Sequence, residues 1–105
     1  MKVVIRAEAY ADLEGISAWI SKSSPATAQS VVGRILDAID RLREFPGMGH
    51  RGLVGGTRGW VVRGLPYIIV YTLDREHLDE TPPALIEVIA VFHGAQDRKP
   101  GTSNV

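Results

Sequence analysis

Trp60-Val61-Val62-Arg63-Gly64-Leu65-Pro66-Tyr67-Ile68-Ile69-Val70-Tyr71-Thr72-Leu73 reads as strand, turn and strand. Trp60–Arg63 and Tyr67–Leu73 are dense in β-branched and aromatic residues, which pack well on a pleated surface. Gly64-Leu65-Pro66 supplies the turn between them. Downstream, Leu85–His93 has the same strand composition, and the acidic stretch 74–84, ending in Pro82-Pro83, makes a longer hairpin connection to it. At the other end of the chain, Lys2–Arg6 is a short β-branched strand.

Two helical patterns separate that first strand from the others. Glu8–Ser21 places Leu13, Ile16 and Ile20 at helical spacing, with Trp19 beside them and Asp12 and Glu14 facing away. Its start is poorly capped, because Ala7 offers no side-chain acceptor. Ser23-Ser24-Pro25 is a clearer start signal: Ser24 can cap, and Pro25 sits where a missing N–H costs nothing. The second helix is expected to run to about Phe45, where Pro46 ends it. Ala28, Val32, Ile35, Ile39 and Leu42 form its apolar stripe, widened by Val31 and Leu36. The glycine-rich stretch 46–59 follows as a loop. The order β-α-α-β-β-β predicts one α+β domain over residues 1–98: an antiparallel sheet with an N-terminal helical hairpin packed on one face. The polar tail 99–105 is expected to be disordered.

A single helical layer leaves the other sheet face without cover. In Leu85–His93, Ile86, Val88, Ala90 and Phe92 alternate with Glu87, Ile89, Val91 and His93, so both faces are apolar in the middle. An apolar groove should therefore remain for a partner peptide or subunit, unless loops or a homodimer close it.

The chain has 105 residues, long enough to bury a core, and no cysteine. That excludes a disulfide scaffold, a thiolate zinc site, an iron–sulfur cluster and a cysteine nucleophile. Apolar runs are too short to span a bilayer and acids come too early for a signal peptide, so a cytoplasmic protein without membrane contact is expected. The 12 basic and 12 acidic residues cancel, which argues against operator binding by this chain itself. Their distribution says more. Phe45–Tyr71 carries Arg51, Arg58, Arg63 and His50 and no acid at all. Such a segment suits planar, bidentate contact with phosphate or carboxylate groups; solvated loop arginines are the alternative.

Neither a cofactor nor a metal is expected. His50, His77 and His93 lack ligand spacing, and Gly55-Gly56-Thr57-Arg58-Gly59 lacks the lysine of a phosphate-binding loop. The groups able to move protons in the second half are His50, His93, Tyr67, Tyr71 and Glu87. Arginines cannot act as bases but can steady phosphoryl charge. His93 ends a strand near Arg98, where an imidazole is either structural or functional. Tyr67 and Tyr71 share a strand face, and core packing with tethered hydroxyls accounts for them.

Several pieces, taken in order, resemble the ParE/RelE superfamily of type II toxins. These are Val3-x-Ile5-x-x-x-Ala9-x-x-Asp12-Leu13-x-x-Ile16-x-x-Trp19-Ile20, then Leu42-Arg43-Glu44-Phe45-Pro46 with Gly49-x-Arg51, then Thr57-Arg58-x-Trp60-Val61-Val62. Pro66-Tyr67-Ile68-Ile69-Val70-Tyr71 and Ile89-x-Val91-x-His93-Gly94-x-x-Asp97-Arg98 complete the likeness, which covers about residues 3–98. The resemblance implies a cognate antitoxin from an adjacent gene, whose carboxy-terminal segment wraps the toxin. It also implies contact with operator DNA only through the antitoxin, and a role in plasmid stabilization or stress.

The superfamily has two activities. RelE-like members cleave messenger RNA on the ribosome without metal, whereas ParE-like members poison DNA gyrase and are not nucleases. This chain has no lysine between Lys22 and Lys99, and its Pro66-Tyr67-x-x-x-Tyr71 and His93-Gly94-x-x-Asp97-Arg98 pieces resemble the ParE side. The expectation is thus a gyrase inhibitor. Arg51, Arg58, Arg63, His93 and Arg98 would bind target or antitoxin. The alternative is a RelE-like endoribonuclease using His93, Arg58, Arg63 and Tyr71 on ribosome-bound messenger.

Overall fold

The strands and helices follow the order β1 (Lys2–Ile5), α1 (Ala7–Ser21), α2 (Pro25–Arg41), β2 (His50–Arg51), β3 (Thr57–Val61), β4 (Tyr67–Leu73) and β5 (Leu85–His93). The computed structural model describes residues 2–51, 55–73 and 85–94. The expected connection at 74–84 and the polar tail at 99–105 lie outside the described residues.

Local chemistry sets the helix ends. At α1 the N-cap residue is Arg6, in extended conformation and with no side-chain cap. At α2 the Ser24 Oγ accepts from the Thr27 N–H at 3.1 Å, with Pro25 in the first turn. The α-helical geometry of α2 stops at Arg41, short of the expected Phe45. Leu42, Arg43 and Glu44 instead donate to carbonyls three residues back. The last turn tightens because Pro46 disfavours helical backbone at Phe45.

The sheet runs β1-β5-β4-β3-β2. Neighbours from β2 to β5 are antiparallel, as expected, but β1 lies parallel to β5, with Val3 opposite Ile86 and Ile5 opposite Val88. The sheet is therefore mixed, which corrects the all-antiparallel expectation. β4 occupies one edge of β5 as its antiparallel neighbour. The other edge is free to take β1 in the same direction, because a long crossover separates the two strands.

Both helices cover one face of this sheet. Leu13 of α1 and Ile35, Ile39 and Leu42 from α2 and its terminal turn are buried against Ile69, Tyr71, Ile86, Val88 and Val91. Leu36, expected on the apolar stripe, is 40% exposed, and Ala38 is buried instead. Between Val70 and Tyr71 the β4–β5 register shifts: Val70 faces Ala90 but Tyr71 faces Val88, so Ile89 is one residue in excess. This bulge switches the faces of β5. Ile86, Val88 and Val91 point to the helices, in place of the unbroken Ile86–Phe92 alternation expected from sequence.

The opposite face bears Val4, Ile68, Val70, Ala90 and Phe92, all half-buried, and Val61, which is exposed. No described helix or strand packs over it. The apolar face expected from the strand pattern is present, with its composition altered by the bulge.

Candidate functional site

Arg51 and Arg58 stand directly opposite each other in the β2–β3 pair. Like charges in that position repel, so the pairing holds a fixed positive patch at one end of the sheet. Arg51 is exposed. Arg58 is half-buried, and its Nη1 donates to the Gly49 carbonyl at 2.9 Å. Across the next ladder Arg58 faces Tyr71, whose side chain is fully buried on the helix side of the sheet. The Tyr71 hydroxyl accepts from the Gly49 N–H at 3.0 Å and donates to the Pro46 carbonyl at 2.9 Å. Burial raises the affinity of this phenol for its proton above the ordinary value, against the lowering pull of the Gly49 N–H and the Arg58 charge. Tyr71 thus holds the 46–49 loop against the sheet as a neutral phenol, and Arg58 grips the same loop.

His93 lies at the other end. It is the last residue of β5, half-buried, and faces Tyr67 edge-on, with ring centroids 5.3 Å apart and planes at 81°. Tyr67 stands opposite His93 in the ladder and Tyr71 opposite Arg58, so the two clusters lie four residue steps apart along β4. Strand rise and spacing put the His93 and Arg58 backbones roughly 16 Å apart. His50 pairs with Gly59, one pleat on from the two arginines, and so is directed to the open sheet face. Glu87 pairs with Thr72 on that same face.

Arg63, in the turn after β3, belongs to a third place. Its carbonyl accepts from the Arg34 Nη2 at 2.7 Å, which ties α2 to the β3–β4 turn. Gly64 beside it has a φ of +78°, and a Cβ there would lie 2.8 Å from that nitrogen, which accounts for glycine in the turn. Arg98 lies outside the described residues. Among the described residues no group of three or more His, Asp or Glu side chains could hold a metal. Among the described residues no helix is long and apolar enough to cross a membrane.

Reading the sequence missed two residues that matter here. Asp12, expected to face away, accepts from the Val91 N–H at 2.9 Å and pins α1 to the strand just past the bulge. Gly49 is buried where an added Cβ would lie 2.7 Å from the Tyr71 hydroxyl and 3.0 Å from the Gly59 carbonyl. Only the Gly49-x-Arg51 spacing hinted at that position.

Residues 3–98 match the family model described as ParE toxin of type II toxin-antitoxin system, parDE. The chain belongs to the ParE toxin family. A relative within reach of this ParE chain is "Putative toxin Y4kP" of Sinorhizobium fredii (strain NBRC 101917 / NGR234). It is 37% identical over 84 residues, which is 80% of this chain and 78% of that protein. The structure of the chromosomal ParDE TA system from P. aeruginosa shares the fold, with a TM-score of 0.73 and 19% identity over 89% of this chain and 95% of that one. The protein is a ParE-type toxin of a type II toxin–antitoxin system. Within that ParE fold the arginine pair with its tyrosine latch, the His93 edge and the Arg34–Arg63 contact are three separate places.

Proposed function

We propose that this toxin inhibits DNA gyrase by binding and not by cleaving RNA, and that a cognate antitoxin encoded beside it neutralises it. The observation that carries the choice of target is the separation of His93 from the Arg51–Arg58 pair. Metal-free RNA cleavage needs a proton-transfer group within hydrogen-bond reach of the scissile phosphate and its stabilising cations. His93 and the paired arginines face different ends of the sheet, and Tyr71 spends its hydroxyl on two backbone groups. A paired, partly exposed arginine patch suits an acidic protein surface or the phosphates of gyrase-bound DNA. The apolar open face of the sheet supports the antitoxin part of the reading, since a partner segment laid across it would remove it from water.

Mixing purified toxin with gyrase, ATP and supercoiled plasmid should yield linear DNA on protein denaturation. Ribosomes programmed with messenger should show no toxin-dependent cleavage. Codon-linked breaks in ribosome-bound messenger, with gyrase unaffected, would reverse the assignment in favour of the RelE-like activity.

A further inference from the structure

A cavity of about 700 Å³ opens between α1 and the Tyr67–His93 end of the β4–β5 ladder. Ile16 and Ile20 from α1 and Val91 from β5 give it apolar walls. Trp19, 69% exposed, adds an aromatic surface, with the Lys22 ammonium 5.0 Å from its ring centroid. His93, edge-on to the Tyr67 ring, completes the strand side. Two polar groups line this apolar space. Asp12 spends one carboxylate oxygen on the Val91 N–H, and the other accepts from no described residue. Tyr67 is only 7% exposed, yet its hydroxyl has no hydrogen-bond partner among the described residues. The sequence led us to expect both strand tyrosines to be tethered; Tyr71 is, through two backbone groups, and Tyr67 is not. A buried hydroxyl without a partner costs free energy that a ligand atom can recover.

We infer that this cavity binds a small heteroaromatic amine: a planar ring with a polar nitrogen, bearing an amino or ammonium group and no negative charge. Volume, apolar walls and a few placed polar groups are the usual make-up of a small-molecule site. The ring packs beside Trp19, Ile16 and Ile20. Its amino group donates to the open oxygen of Asp12, and the Tyr67 hydroxyl meets the ring nitrogen. No lysine or arginine lines the cavity among the described residues, so a carboxylate or phosphate ligand would face the Asp12 charge without compensation. The site lies at the opposite end of β4 from the Arg51–Arg58 patch, so the inference is independent of the proposed target.

Gly15 provides the means of testing it. Gly15 lines the cavity from α1, and an added Cβ would meet no heavy atom within 4 Å, so a leucine has room to enter the space without displacing the walls. Gly33 of α2 is equally open around an added Cβ and does not line the cavity, which makes Gly33→Leu the matched control. The whole toxin is titrated with tryptamine and with indole-3-acetate, which share a ring and differ in the sign of their charge. Calorimetry gives the affinity, and the amide resonances of Gly15 and Val91 give the place. Tryptamine should bind saturably and shift both resonances, and indole-3-acetate should bind about tenfold more weakly or worse. Gly15→Leu should weaken tryptamine by about tenfold or more, while Gly33→Leu leaves it unchanged. Tyr67→Phe removes a hydroxyl with no protein partner, so it should keep the thermal midpoint and weaken tryptamine about two- to tenfold. Should Gly15→Leu fail to fold, Tyr67→Phe and the charge comparison still decide. No saturable binding by folded wild type at millimolar tryptamine would overturn the inference. So would equal affinity for the two ligands, or equal losses in the two glycine variants. Self-association that Gly15→Leu abolishes and tryptamine does not affect would assign the cavity to a second copy of the chain, and the inference would be wrong.

Discussion

The Gly49 N–H donates to the Tyr71 hydroxyl across 22 residues of sequence, at 3.0 Å. The same hydroxyl donates to the Pro46 carbonyl, so one phenol satisfies a buried donor and a backbone acceptor on either side of a tight loop. Arg58, opposite Tyr71 in the sheet, closes the loop from the other side through the Gly49 carbonyl. The position of His50-Arg51, and hence of the arginine pair, therefore depends on a side chain that never reaches solvent.

Replacing Tyr71 with Phe keeps the ring and leaves both backbone groups without this partner, which should cost about 1–3 kcal/mol in urea unfolding. The sign of the pH effect follows from burial. The native state holds the phenol proton more tightly than the unfolded chain, whose value is near 10.0. The stabilising contribution is therefore complete below that pH and is lost as pH rises through the higher folded value. Wild type should lose stability steeply in the alkaline range, and Tyr71→Phe should lose less over the same range. Parallel curves for the two proteins would show that the latch does not set alkaline stability.

Sequence periodicity located what depends on local pattern. Tyr67–Leu73 and Leu85–His93 have the bounds expected of them, because unbroken β-branched runs end there at turn or acidic residues. Ser24 was legible as a cap because its chemistry is local. The bulge at Ile89 was not, since a register shift is a property of two strands and neither sequence alone carries it. The opposition of Arg51 to Arg58 was hidden for a similar reason: β2 is two residues long and sits in a glycine-rich stretch with no alternation to fix its register. Asp12 looked solvated because helical periodicity ranks residues by hydrophobicity, and its donor lies 79 residues away.

Asp12→Ala should accordingly destabilise the fold, by about 1.5–3 kcal/mol, because a charged acceptor is withdrawn from a part-buried N–H. Asp12→Asn retains an acceptor oxygen and should cost less. Hydrogen exchange at Val91 provides the local readout: it should quicken in the alanine variant well before the core amides of β4. Unchanged protection there would mean that the bulge holds α1 without the carboxylate.

Ile39 is 3% exposed and lies mid-stripe on α2, against the sheet. Ile39→Ala should cost about 2–5 kcal/mol, a large part of the stability of a domain this size. Any loss of toxicity in this variant would report unfolding. An unchanged thermal midpoint would contradict the helix register.

Arg51→Ala, Arg58→Ala and His93→Gln separate binding from support. Arg51 is exposed and pairs with Arg58 through the strand backbone, so its removal should reduce gyrase-linked toxicity while leaving the thermal midpoint close to that of wild type, as is usual for surface changes. Arg58→Ala should reduce both, because the same guanidinium that supplies charge also holds Gly49. His93→Gln should preserve most of the toxicity. Glutamine keeps a comparable polar side chain without titrating near neutrality, and a gyrase inhibitor needs no proton transfer from this edge. A nuclease that used His93 as acid or base would lose about 10²–10⁴-fold in cleavage rate on that change. Growth arrest measured for the three variants at equal expression thus distinguishes the modes: a fall at Arg51 with His93→Gln still toxic marks a binding surface, and the reverse pattern marks catalysis.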